Sequence, residues 1–189
     1  AVIQRLAGFT EHMEDTAQVK SGIMRLENHT GTLELAGLSV ALPDGTPLLT
    51  DCTLMLPRGS RVLVTGVSGA GKSTLLRSLA GIWPYGSGTI RLPQDERRLF
   101  LPQRPYLMLG SLRRALSYPN TASEPTERIT QILQSVGLSH IAARLDEVDD
   151  WSRILSLGEQ QRLAFARILL IRPDWVFLDE ATSALDEPW

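Results

Sequence analysis

Apolar residues recur along this chain with two different periods, and the changes of period divide it into elements. From Ala1 to about Lys20, Val2, Leu6, Phe9 and Met13 fall on one stripe of a helix, with Gln4, Arg5, Glu11 and Glu14 elsewhere. Gly22 to His29 shows no period and reads as a linker. Between Thr32 and Leu56 the runs suit strands: Leu33–Ala36, Leu38–Leu42 and Leu48–Leu56, the last two separated by the turn Pro43-Asp-Gly-Thr-Pro47. Arg61–Thr65 predicts a short buried strand, and Ser73–Ala80 a helix. Thr89–Leu92, entered through the turn Gly86-Ser-Gly88, and Arg98–Leu101 predict two further strands. Ser111 to about Tyr118, Glu124–Val136 and Ser139–Leu145 predict three helices, with Ser111 and Ser123 as caps and Gly137 as a stop. Glu147–Asp150 reads as an acidic surface loop. A last helix carries Leu163, Ala166 and Leu170 on one stripe, and Trp175–Leu178 suits a strand buried on both faces.

Composition narrows the class. The 189 residues suffice for one sizeable core, or a core plus a small subdomain. With 19 basic and 21 acidic side chains the net charge is −2, so no basic excess points to nucleic acid as a partner. Cys52 is the one cysteine, which excludes an internal disulfide and leaves a packed thiol as its ordinary role. No apolar run approaches the length of a membrane span and no signal-peptide pattern opens the chain, so a cytosolic-side polypeptide is expected.

The densest chemistry lies in Gly66, Val67, Ser68, Gly69, Ala70, Gly71, Lys72, Ser73 and Thr74, which fit the phosphate-loop pattern G-x-x-x-x-G-K-[ST]. Glycines let the backbone approach a polyphosphate closely enough for successive N–H groups to form an anion nest. The following helix adds the positive end of its dipole. Lys72 is placed to reach the β- and γ-phosphates and Ser73 to ligand Mg²⁺. A predicted strand before the loop and a helix after it supply the context that a chance match lacks.

Two weaker signals gain meaning from the first. Asp179 and Glu180 end the apolar run Trp175–Leu178, where carboxylates are costly unless they meet a cation or stay wet. Asp179 suits Mg²⁺ coordination and Glu180 suits polarising a water; the bland alternative is a strand running into an acidic loop. Gln103, held extended between Pro102 and Pro105, is either a solvated loop amide or a side chain over the nucleotide. Ser156 is an N-cap residue, and Gly158 lets N–H groups face outward from the helix start, as many helices do.

Together these residues resemble the nucleotide-binding domain of an ABC ATPase from about Thr32 to Asp186. The phosphate loop matches Gly66–Ser73, the Q-loop Gln matches Gln103, and the LSGGQ signature matches Leu155–Glu159. The Walker B strand matches Val176–Asp179, the catalytic Glu matches Glu180, and the D-loop matches Ser183–Asp186. Gly81–Pro84, Leu101–Tyr106 and Gly110–Arg113 look like the peroxisomal fatty-acyl half-transporters and their bacterial relatives, which include importers of vitamin B12 and of antimicrobial peptides.

The resemblance implies an α/β fold: a P-loop core with an N-terminal antiparallel β patch and a helical subdomain over about 104–157. Residues 31–189 would be the ATP-binding domain, and 1–30 a connector helix and linker from a membrane domain of the same polypeptide. It further implies an ATPase motor at the cytoplasmic face of a bacterial inner membrane, in which two copies pair head to tail around ATP and Mg²⁺. Glu180 and Gln103 would be catalytic, and Ser73, Gln103 and Asp179 would hold the metal. Ser156, Gly158, Glu159 and Asp186 would contact the nucleotide carried by the partner copy.

Some positions depart from the family pattern. Glu159 stands where Gln is common, though some relatives carry Glu, and Leu157 stands where the signature usually has a Gly, its bulk near the nucleotide interface implying weak or slow closure. No aromatic lies near Leu42 to stack on adenine. The family's switch His belongs to a strand beyond the D-loop, and His12, His29 and His140 all lie upstream. The segment is therefore expected to be a fragment with poor hydrolysis in isolation. Two alternatives stand beside the transporter motor. A soluble ABC-type ATPase would favour a basic surface, cysteine clusters or a coiled-coil insert, and a nucleotide-binding module without turnover would suit the truncation.

Overall fold

A phase break in one strand shapes the first half of the chain. Leu33 and Leu35 point one way, and Leu38 and Val40 fall one residue out of step with them, yet all four are buried. The structure resolves this with a bulge at Ala36-Gly37, where Gly37 takes φ 58° and the pairing shifts register on both sides. The two expected runs are thus a single strand, β2 (Thr32–Ala41). This is a computed structural model that describes residues 21–118 and 124–180. The helix expected over 1–20, the Ser123 cap and the D-loop with Asp186 lie outside the described residues.

The chain divides into two units, residues 1–95 and 96–189. In the first, β2 is flanked by β3 (Pro47–Pro57) and β4 (Gly86–Pro93), both antiparallel to it, and β1 (Ile23–Asn28) runs parallel to β4. The sheet order is β1-β4-β2-β3. Gly22–His29 is therefore largely strand and not linker, fixed by the pairing of Ile23 with Gly88 and onward to Asn28 with Pro93. Likewise Gly86-Ser-Gly88 belongs to β4 and not to a turn. Helix α1 (Lys72–Ala80) packs against β2, and Leu79 joins Ile23, Leu33, Leu35, Leu38, Val40, Ile90 and Leu92 among the buried apolar residues. Cys52 is half-buried on β3 rather than enclosed in the core.

The strand expected over Arg61–Thr65 is absent. Among the described residues no strand pairs with it, and Val62, Leu63 and Val64 are 54%, 85% and 45% exposed. Its apolar sequence suits a ladder, but a strand exists only where a neighbour supplies hydrogen bonds.

The second unit holds β5 (Arg98–Leu101) and β8 (Trp175–Leu178), paired in parallel, and a helical cluster between them in sequence. The helices are α2 (Leu112–Ser117), α3 (Thr126–Ser135), α4 (Trp151–Ile154) and α5 (Leu157–Ile171). Ser139–Arg144 forms a 3-10 helix in place of the expected α-helix. Ser111 caps α2 by accepting the Arg114 N–H. Gly137, at φ 69°, ends α3, with the Leu138 N–H returning to the Leu133 carbonyl. Val148 and Asp149, expected in a loop, form β7, which pairs with β6 (Gly110–Ser111).

Helix α5 is buried on two sides. Leu163, Ala166 and Leu170 join Trp151, Leu112, Leu116, Ile129 and Leu133 in the helical core, while Ala164 and Ile171 pack with Leu99 and Leu101. β8, by contrast, is not buried on both faces: Val176 and Leu178 are 38% and 44% exposed, and among the described residues it pairs only with β5. Its Phe177 stacks on Phe100 across that pair, with ring centroids 4.3 Å apart.

Candidate functional site

The phosphate loop belongs to the first unit. Val67, Ser68, Gly69 and Ala70 are exposed, and the Ala70 N–H closes a turn on the Val67 carbonyl at 3.2 Å. Gly71 is the N-cap of α1 at φ 85°, and a Cβ there would lie 2.9 Å from that of Leu48. Both the backbone angle and the close approach require glycine. Having no side chain, Gly71 cannot cap the first turn of α1, so the donors there are left to an incoming anion. The Lys72 ammonium folds back to donate to the carbonyls of Gly66 and Val67, both at 3.0 Å. Ser73 is half-buried and Thr74 buried on the same turn of α1.

The far end of α1 is held by Arg25, which no sequence motif marks. Its guanidinium donates to the carbonyls of Ser78 and Leu79 at 2.6 and 2.8 Å, matching a cation to the negative end of the helix. Near Leu42, Trp83 donates its indole N–H to the Ala41 carbonyl, and Tyr85 meets Trp83 edge-on at 5.4 Å.

In the second unit, the parallel pairing of β5 with β8 aligns Leu101 with Leu178, so the residues that follow leave the sheet at the same end. Two residues on from each lie Gln103 and Glu180, and the Gln103 amide donates to Glu180 Oε2 at 2.9 Å. Asp179 is half-buried, and its N–H donates to the Leu101 carbonyl at 2.9 Å. Glu180 takes φ 47°, unusual for a non-glycine residue, and its side chain is exposed. The carboxyl ends of parallel strands are where ligands bind in α/β sheets.

Ser156 begins α5 with a capping box. Its hydroxyl accepts the Glu159 N–H, and Glu159 Oε2 accepts the Ser156 N–H at 2.8 Å. Burial pushes the Glu159 carboxyl upward, but the Ser156 hydrogen bonds and the charge of His140 outweigh it and hold it below 4.5. Leu157 is 44% exposed at the first position of the helix. Ser-x-x-Glu at 156–159 is a local pattern that marks this cap in the sequence. Side chains that no local pattern marks fix α5 further along. The buried Gln161 donates to the Gln103 carbonyl at 3.4 Å, and Gln160 donates to the carbonyls of Ser152 and Leu155. Arg167 is buried and donates to the carbonyls of Ala115 and Tyr106; burial lowers it to about 10, still charged at neutral pH.

The Ser73 hydroxyl in the first unit and, in the second, the Gln103 amide and the Asp179 carboxylate each offer the hard oxygen that Mg²⁺ favours. Among the described residues no group of three or more His, Cys, Asp or Glu forms a metal cluster. No described helix is long and apolar enough to cross a membrane.

Comparison with known proteins places these motifs in context. A family model described as ABC transporter matches residues 49–183. An uncharacterised ABC transporter ATP-binding protein of Haemophilus influenzae is 46% identical over 164 residues, 86% of this chain and 28% of the relative. The inner membrane ABC transporter ATP-binding protein YddA of Escherichia coli is 36% identical over 187 residues, 99% of this chain and 32% of its own. The lysosomal cobalamin transporter ABCD4 of Homo sapiens is 39% identical over 168 residues, 81% of this chain and 28% of its own. The chain thus spans about a third or less of the length of each of these relatives.

Proposed function

The chain belongs to the ABC transporter family, and from that premise we propose that it is the ATP-binding and ATP-hydrolysing motor of a membrane transporter. The observation that carries this reading is the glycine-framed turn ahead of α1, with Gly71 forced into the left-handed region and Lys72 folded over the loop carbonyls. An incoming triphosphate competes with those carbonyls for the ammonium and takes the N–H groups of residues 66–74. Ser73, Gln103 and Asp179 would hold Mg²⁺, which would neutralise phosphate charge. Glu180 would accept the proton of the attacking water, and Gln103 would sense the γ-phosphate and relay its presence to the helices from Ser111 to Leu145.

Ser156, Gly158, Glu159 and Asp186 face the nucleotide of a second copy, so that ATP closes a head-to-tail pair and hydrolysis reopens it. In this reading the first 30 residues connect to the membrane domain of the same polypeptide, residues 31–189 are the ATP-binding domain, and the helices within about 104–157 form the subdomain that transmits closure. The likeness to YddA, whose name places it at the inner membrane, supports a position at the cytoplasmic face of that membrane.

The test is nucleotide binding and turnover by the full-length protein. Lys72→Ala is expected to weaken ATP binding at least about tenfold. Glu180→Gln is expected to keep binding and lower kcat by about a hundredfold or more. Wild-type turnover in Glu180→Gln would overturn the reading.

A further inference from the structure

His140 lies outside every motif above, yet it is bonded to the residue that caps the signature helix. Its Nε2 stands 3.0 Å from Glu159 Oε1, while Glu159 Oε2 accepts both the N–H and the hydroxyl of Ser156 at 2.8 Å each. The carboxylate is therefore fixed at both oxygens, one to the 3-10 helix and one to the start of α5. The Ser156 hydroxyl hydrogen is committed to that carboxylate. Glu159 at the first turn complements the helix dipole, but its negative charge opposes any phosphate approaching the same turn.

The two partners differ in exposure. The His140 side chain is 57% exposed and that of Glu159 20%, so the imidazole exchanges protons with solvent while the carboxylate is sheltered. The pair carries no net charge when His140 is protonated and −1 when it is neutral, and Nε2–H can donate to Glu159 in both states. Charged groups on the surrounding elements are engaged separately. Arg144 of the 3-10 helix pairs with Glu147 and lies over Trp151, and Arg153 of α4 pairs with Asp150. Asp146 pairs with Arg113, and Arg162 lies one turn further along α5.

We propose that His140 is a positioning residue of the signature: its imidazolium fixes and neutralises Glu159, so that the start of α5 accepts the phosphate of a nucleotide carried by a second copy. This rests on the reading above that Ser156 to Glu159 face the partner's ATP. ATP binding is then stronger when His140 carries its proton and the pair is neutral than when the pair carries −1.

The experiment is equilibrium binding of a fluorescent ATP analogue to the full-length protein, with KM and kcat for ATP, from about pH 6 to about pH 8.5. Wild-type affinity is expected to fall about threefold to fivefold across that range, with kcat changing less. His140→Arg, a permanent cation, keeps the low-pH affinity throughout, and His140→Gln shows the high-pH affinity throughout. Glu159→Gln removes the pH dependence, because the charge to be countered is gone. A wild-type pH profile in His140→Gln overturns the proposal; should that variant fail to fold, a wild-type profile in His140→Arg does so. Ser156→Arg separates the two levels. If it abolishes turnover while the His140 variants follow wild type, the role of His140 alone falls. If it turns over normally, the signature reading falls and takes the role of His140 with it.

Discussion

Gly71 shows how much a single backbone position decides. It must be left-handed to turn the loop into α1, and it must lack a Cβ because Leu48 occupies that space. Gly71→Ala is expected to cost about 2–4 kcal/mol, from the left-handed penalty together with displacement of Leu48. Thermal unfolding reads the stability loss, and ATP-analogue titration reads the loss of the loop's shape. Arg25 and Arg167 act at the same scale by placing charged donors on main-chain carbonyls, of α1 in one case and of Ala115 and Tyr106 in the other. Neither bond follows from a local pattern, since each joins residues more than fifty positions apart.

Among the elements, α5 depends on its first turn. Glu159 is held below its ordinary value in the folded state, so its contribution is complete above about 4.5 and is lost as pH falls through the lower folded value. Replacing it by Ala is expected to cost about 1 kcal/mol near neutral pH, and the difference from wild type should close in acid. Unfolding curves at several pH values measure it. Helix starts and stops are legible in the sequence where their signals are local: Ser111 at α2, Gly137 after α3 and Ser156 at α5. Strands were less so. β1 lies in a stretch without period and exists through its pairing with β4, while Arg61–Thr65 has the right residues and no neighbour among those described. β2 has the sequence of two strands because a bulge inverts the phase of its alternation. Of the candidate site, the residue types were legible, but the bond from Gln103 to Glu180 was not, since it follows from the parallel register of β5 on β8.

For the molecule as a whole, the exposed run Val62-Leu63-Val64 is a strand sequence with nothing to pair with among the described residues. Such a segment is a template for association with other chains. The isolated 189-residue polypeptide is expected to self-associate at micromolar concentration, and Leu63→Lys to reduce this; light scattering against concentration distinguishes the two. The amide of Gln103 on the Glu180 carboxylate bears on the molecule in another way. One carboxylate oxygen is tied across the carboxyl ends of two parallel strands, so the loop after β5 and the turn after β8 are pinned together and a displacement of either is felt at the other.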